Sequence, residues 1–138
     1  MSYVGLAIVS MVAYGITSIL LKVAMRQVPP EVALVVTNTM LIIAGAALMI
    51  ARGTSIQAHL KLGWPALFLA MAGVALSVSI ISYYTALDRG PASIVVPIFA
   101  LSFAVAAALA MVFLGESVKT TRILGLLMAT GAIVLLTR

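Results

Sequence analysis

The side chains able to do chemistry in this sequence are few, and most lie inside apolar runs. Ser10, Tyr14, Thr17, Ser18 and Lys22 form the first group, Thr37, Asn38 and Thr39 the second, and Ser79, Ser82, Tyr83, Tyr84 and Thr85 the third. On a helix turning about 100° per residue, the first group occupies one arc of roughly 140°. Hydroxyls, one amide and one ammonium can bind and orient a solute. They cannot readily activate a nucleophile, because Glu31, Asp88 and Glu116 fall outside the apolar runs, the single histidine, His59, does too, and there is no cysteine. The chemistry expected is recognition without covalent steps.

A polar side chain in hydrocarbon is expensive, so its direction is informative. Single serines and threonines, including Ser18 and Ser79, can bond back to carbonyls of their own helix and need no cavity. Tyr14, Asn38 and Tyr83 carry polar groups that reach further, and are expected to face a common cavity. Two readings of Lys22 stand: its head extends to the interface, or it meets an anionic or carboxylate-bearing solute. Pro97 lies within an apolar run, where it removes a backbone hydrogen bond and frees a carbonyl near Ser93. The resulting kink would serve a gate or only packing. Phe99 and Phe103, four residues apart, share a helix face or fill a contact between copies.

The elements that must position these groups follow from composition. Hydrophobic residues make up 64% of the 138 and charged residues 8%, against roughly a quarter charged in a water-soluble domain. Crossing a bilayer core takes roughly 20 apolar residues in a helix. Spans are expected at about residues 3–25, 32–51, 64–87, 92–114 and 123–137, separated by Arg26-Gln27-Val28-Pro29-Pro30-Glu31, by 52–63, by Asp88-Arg89-Gly90-Pro91 and by 115–122. Only 15 residues separate Arg122 from Arg138, about 22 Å of helix, so the last crossing relies on both arginines reaching for the interfaces. The fold class is all-α, an integral membrane bundle of five transmembrane helices forming one domain. Run length and the missing period of two exclude a transmembrane barrel. The first run is too long for the apolar part of a cleavable signal and lacks a preceding basic segment, so it is read as a span.

Orientation normally follows an excess of Lys and Arg on the cytoplasmic side. With five spans, one side carries Arg52, Lys61, Lys119 and Arg122 and the other Lys22, Arg26, Arg89 and Arg138. The counts are equal. One reading is insertion of copies both ways up, pairing antiparallel to give in two chains an inverted repeat; the other is an orientation set by details that counting misses. If the fifth segment does not cross, Arg138 changes sides and the balance tips. Five helices with little loop mass scarcely enclose a path, so a homodimer is expected, with Gly125 and Ala129, at a four-residue spacing, placed at the helix-packing or dimer contact.

Gly90-Pro91-Ala92-Ser93 opens one helix, Phe113-Leu114-Gly115-Glu116 closes it, and Arg122, Gly125 and Gly131 follow in the last. Tyr14-Gly15 and Lys22 lie in the first helix, with Val28-Pro29-Pro30 after it. In order and spacing these motifs resemble the drug/metabolite transporter superfamily, the EamA-like domain in particular, over essentially the whole chain. The resemblance implies one half-unit of a ten-helix inverted-repeat transporter that moves small metabolites across the inner membrane. Phe103 departs from the pattern, since many members carry proline there. The four-helix multidrug exporters of the same superfamily use an acidic residue in their first helix; this chain has none, and proton/cation antiport of that kind is not implied.

Together these observations predict a multi-pass inner-membrane transporter moving a small polar or amphipathic metabolite by alternating access. The path is expected to be lined by Tyr14, Ser18, Lys22, Asn38, Ser79, Tyr83, Pro97 and Phe99. No cofactor, metal or catalytic residue is expected, and no phosphate-cradling glycine loop supports nucleotide hydrolysis. The net charge of +5 suits anionic lipid headgroups rather than nucleic acid. A membrane-embedded accessory subunit that transports nothing is the rival reading. An intramembrane enzyme would need a catalytic cluster that the apolar runs lack.

Overall fold

The computed structural model describes residues 2–56, 63–114 and 120–136. The regular elements there are helices: α1 (Tyr3–Ala24), α2 (Pro30–Arg52), α3 (Trp64–Arg89), α4 (Ala92–Ala100), α5 (Ser102–Phe113) and α6 (Thr120–Leu136). The expectations that rest on His59, Lys61, Gly115, Glu116, Lys119 and Arg138 lie outside the described residues. Among the described helices, α1, α2, α3 and the stretch Ala92–Phe113 are long and apolar enough to cross a bilayer. The shorter α6 has 17 residues, about 26 Å at the usual rise, and its apolar part is Ile123–Leu135.

Sequence chemistry explains the helix ends. Pro29-Pro30 stops α1 from running on, yet Pro30 itself opens α2, two residues ahead of the expected Val32. A first-turn proline lacks only an amide that no helical carbonyl would have received. Glu31 in that turn is favoured by the helix dipole. The other end of α2 closes on Gly53, the one left-handed residue of the described backbone at φ 62°. Its amide reaches the Ile50 carbonyl at 3.1 Å and the Thr54 amide reaches Met49 at 3.0 Å, a Schellman closure. A Cβ on Gly53 would meet no neighbour, so Gly53→Ala tests conformation alone. It is expected to destabilise the protein by about 1 kcal/mol, read as a small fall in melting temperature in detergent.

The expected fourth run divides. Pro97 sits within α4, and the interruption falls at Leu101, one turn downstream of it. The Leu101 amide returns three residues, to the Ile98 carbonyl at 3.0 Å, and the Leu101 carbonyl accepts from Ala104 at 2.9 Å. The disturbance thus appears as a tightened turn after the proline, in addition to the bond lost at Ser93.

The described chain divides into two compact units, Leu21–Asp88 and Met1–Leu20 with Arg89–Arg138. In the first, α2 and α3 run antiparallel, with Glu31 near Thr85 and Asn38 near Ser77. The buried residues Leu21, Met25, Ala33, Tyr83, Tyr84 and Leu87 belong to the end of α1 and the turn after it, the start of α2 and the end of α3. In the second, α4 packs with α5 and α6, and Ser18 and Ile133 are buried. Large apolar side chains elsewhere are uncovered, Ile42 at 70% and Met128 at 76% among them, as lipid-facing side chains are.

Candidate functional site

Lys22 extends from the last turn of α1 to the end of α3, where its Nζ donates to the Leu87 carbonyl at 2.6 Å and the Asp88 carbonyl at 3.1 Å. The last four carbonyls of any helix lack intrahelical donors and carry the negative end of its dipole. An ammonium satisfies both needs at once. Neither of the two sequence readings anticipated this partner, because a residue 65 positions away is invisible to local spacing.

In the same unit α2 and α3 are joined by polar chemistry. Thr37 Oγ1 lies 2.9 Å from the Ala33 carbonyl and 2.7 Å from the Tyr84 hydroxyl. Either hydroxyl can donate in that contact, and when the threonine proton goes to the Ala33 carbonyl it is Tyr84 that donates. Asn38 Nδ2 donates to the Leu34 carbonyl at 2.8 Å. That corrects the expectation that the Asn38 amide reaches too far for local satisfaction: its Cγ-linked nitrogen can bend back one turn, as a threonine hydroxyl does. Asn38 nevertheless lines a hollow of about 260 Å³ with Leu34, Leu76, Ser77, Ile80 and Ile81. A neighbouring hollow of about 290 Å³ is lined by Pro30, Glu31, Leu34, Ile81, Tyr84 and Thr85.

Ser79, exposed on α3, is absent from both linings, and Ser77 lines the first hollow. Tyr83 is buried and meets Tyr84 edge-on, with centroids 6.2 Å apart. Tyr84, Thr37 and Ser77 are the lining or bridging residues that sequence reasoning left out of the site. A usable signal existed: Ser77, Ile81 and Tyr84 recur at four and three along α3, opposite Glu31, Leu34 and Asn38 along α2.

The second unit holds Tyr14, Pro97 and Phe99. The rings of Tyr14 and Phe99 stack with centroids 5.6 Å apart and planes 12° from parallel, so α1 and α4 meet through the two aromatics the sequence singled out. Ser18 is 1% exposed, and its hydroxyl donates to the Tyr14 carbonyl at 2.9 Å, the local bond expected of a lone serine. On α6, Gly125 is exposed, and a Cβ there would meet nothing within 4 Å.

Helices long and apolar enough to cross a bilayer, with polar side chains spaced along them, define a multi-pass membrane protein. The model of the EamA-like transporter family matches residues 1–138, and the chain belongs to that family. It is similar to a Sinorhizobium sp. protein described as "Uncharacterized transporter in cobO 3'region", 30% identical over 130 residues that cover 94% of this chain and 92% of that protein. No solved structure matches the chain. The resemblance carried by Gly90-Pro91-Ala92-Ser93 and Gly125 is thus borne out, and by family the protein is a membrane transporter.

Proposed function

We propose that this transporter moves a small polar or amphipathic metabolite across the inner membrane by alternating access, as a homodimer whose copies insert antiparallel. The observation that carries the reading is family membership over residues 1–138. The balanced placement of basic residues around five spans supports insertion both ways up. Uncovered apolar surface on α6, with exposed Gly125 on it and half-buried Ala129 one turn further, supports close approach of a second copy.

In one unit Tyr14 and Phe99 offer the path aromatic surface, and in the other Asn38 offers an amide. Tyr83 and Ser18, both buried, hold the helices that carry them, and Pro97 with Leu101 supplies the bend about which α4 and α5 change their angle. Lys22 contributes by positioning the end of α3. Ser79 belongs to the path only where a partner covers its exposed face.

The test is flux of metabolites, first selected by thermal shift, into liposomes containing the purified protein. Saturable uptake that falls at least tenfold in Tyr14→Ala is expected. Absence of saturable flux, with recovery of the protein bound to another chain, overturns the proposal in favour of an accessory subunit. Reporters fused to the C-terminus should be found on both faces of the membrane; one face only removes the antiparallel arrangement. Gly125→Leu adds bulk where the fold has room, so it should leave the melting temperature of the monomer unchanged while abolishing the crosslinked dimer.

A further inference from the structure

The two hollows between α2 and α3 share Leu34 and Ile81, so they are neighbours along the furrow between these helices, within the unit Leu21–Asp88. Its charged end is Glu31, in the first turn of α2, where the chain leaves the polar break for the apolar run. Its other end is Asn38, seven residues on, about 10 Å deeper along the helix. Between them the walls are Leu34, Leu76, Ile80 and Ile81. A furrow that starts at headgroup depth with a carboxylate and continues in aliphatic side chains has the layout of a lipid.

We propose that this furrow is a lipid site selective for a primary-amine headgroup, holding an aminophospholipid with its ammonium at Glu31 and an acyl chain along Leu34, Ile81 and Ile80. Charge complementarity decides the headgroup. The chain as a whole carries +5 and attracts anionic lipids to its surface. Glu31 is the one charged residue among those lining the furrow, and among the described residues it makes no ion pair. Within the furrow the one charge is thus a carboxylate, complementary to a cationic headgroup.

A primary ammonium offers three N–H donors to a carboxylate, and such charge-assisted bonds are roughly twice as strong as neutral ones. A quaternary ammonium has the same charge and no donor, so choline lipids rank below ethanolamine lipids. Asn38 spends one amide hydrogen on the Leu34 carbonyl and has a second left for a glycerol ester carbonyl. Asn38 is shared with the proposed transport path, whereas the headgroup end of the site, at Glu31, lies outside it.

Native mass spectrometry of the full chain in detergent tests this, with phosphatidylethanolamine, phosphatidylcholine and phosphatidylglycerol of identical acyl chains added in equal amounts. The ethanolamine lipid should be retained several-fold over the other two. Glu31→Gln should lower its retention to that of the choline lipid, while Asp88→Asn, which alters an acid outside the furrow, leaves the ranking unchanged. Leu34→Trp, which fills the furrow, should reduce the ethanolamine adduct without changing the charge at Glu31. Equal retention of the three lipids by the unaltered protein, or an ethanolamine preference that survives Glu31→Gln, overturns the proposal.

Discussion

Lys22→Met is expected to lower the stability of the protein in detergent by about 2 kcal/mol, the size typical of a hydrogen bond to a charged group. The loss follows from what the ammonium touches. Its Nζ donates to Leu87 and Asp88 carbonyls at 2.6 and 3.1 Å, in the last turn of α3, where those groups have no helical donor. Methionine keeps the apolar stem and removes the donor, so the carbonyls and the favourable charge at the dipole's negative end are lost together. Lys22→Gln retains a neutral donor and should recover part of the loss. The measurement is the midpoint of thermal or denaturant unfolding, compared with Arg26→Met, whose side chain is exposed. If Lys22 served only as a contact for an anionic solute, Lys22→Met would leave unfolding untouched and change the concentration dependence of flux alone.

That result also shows where sequence reasoning stops. The runs and breaks were legible because hydropathy, proline and glycine act locally: Pro29-Pro30 ends α1, Gly53 closes α2, and Gly90-Pro91 separates α3 from α4. Family membership was legible as well, from several weak motifs in the right order. What each polar side chain touches was not. Ser18 and Asn38 both bond back one turn to their own helices, yet Ser18 is buried while Asn38 opens onto a hollow. The choice between Ser77 and Ser79 depends on which face of α3 meets α2, and two residues along a helix turn that choice by about 200°. The polar arc of the first helix was read from periodicity, yet one of its members stacks on Phe99 and another caps the end of α3. Such partners lie far apart in sequence, and spacing carries no information about them.

Leu87→Ala carries the other large expected effect, and it separates packing from capping at the same position. The Leu87 side chain is 0% exposed, while its carbonyl holds Lys22. Alanine leaves the carbonyl in place and removes only the buried methyls. In a soluble core such a truncation costs about 2–5 kcal/mol, part of it the transfer of apolar atoms from water. In a membrane protein the separated helix keeps its leucine in lipid, so the transfer part fades and the lost van der Waals contacts remain. The expectation is therefore about 1–3 kcal/mol, measured by unfolding in detergent, with the Lys22→Met effect preserved on top of it. Leu127→Ala on α6, where the side chain is 63% exposed, should cost close to nothing in the monomer, because lipid replaces what the methyls touched. A large loss at Leu127 that appears only at protein concentrations favouring the dimer would place α6 at the contact between copies. Equal losses at Leu87 and Leu127 in the monomer would contradict the burial on which both expectations rest.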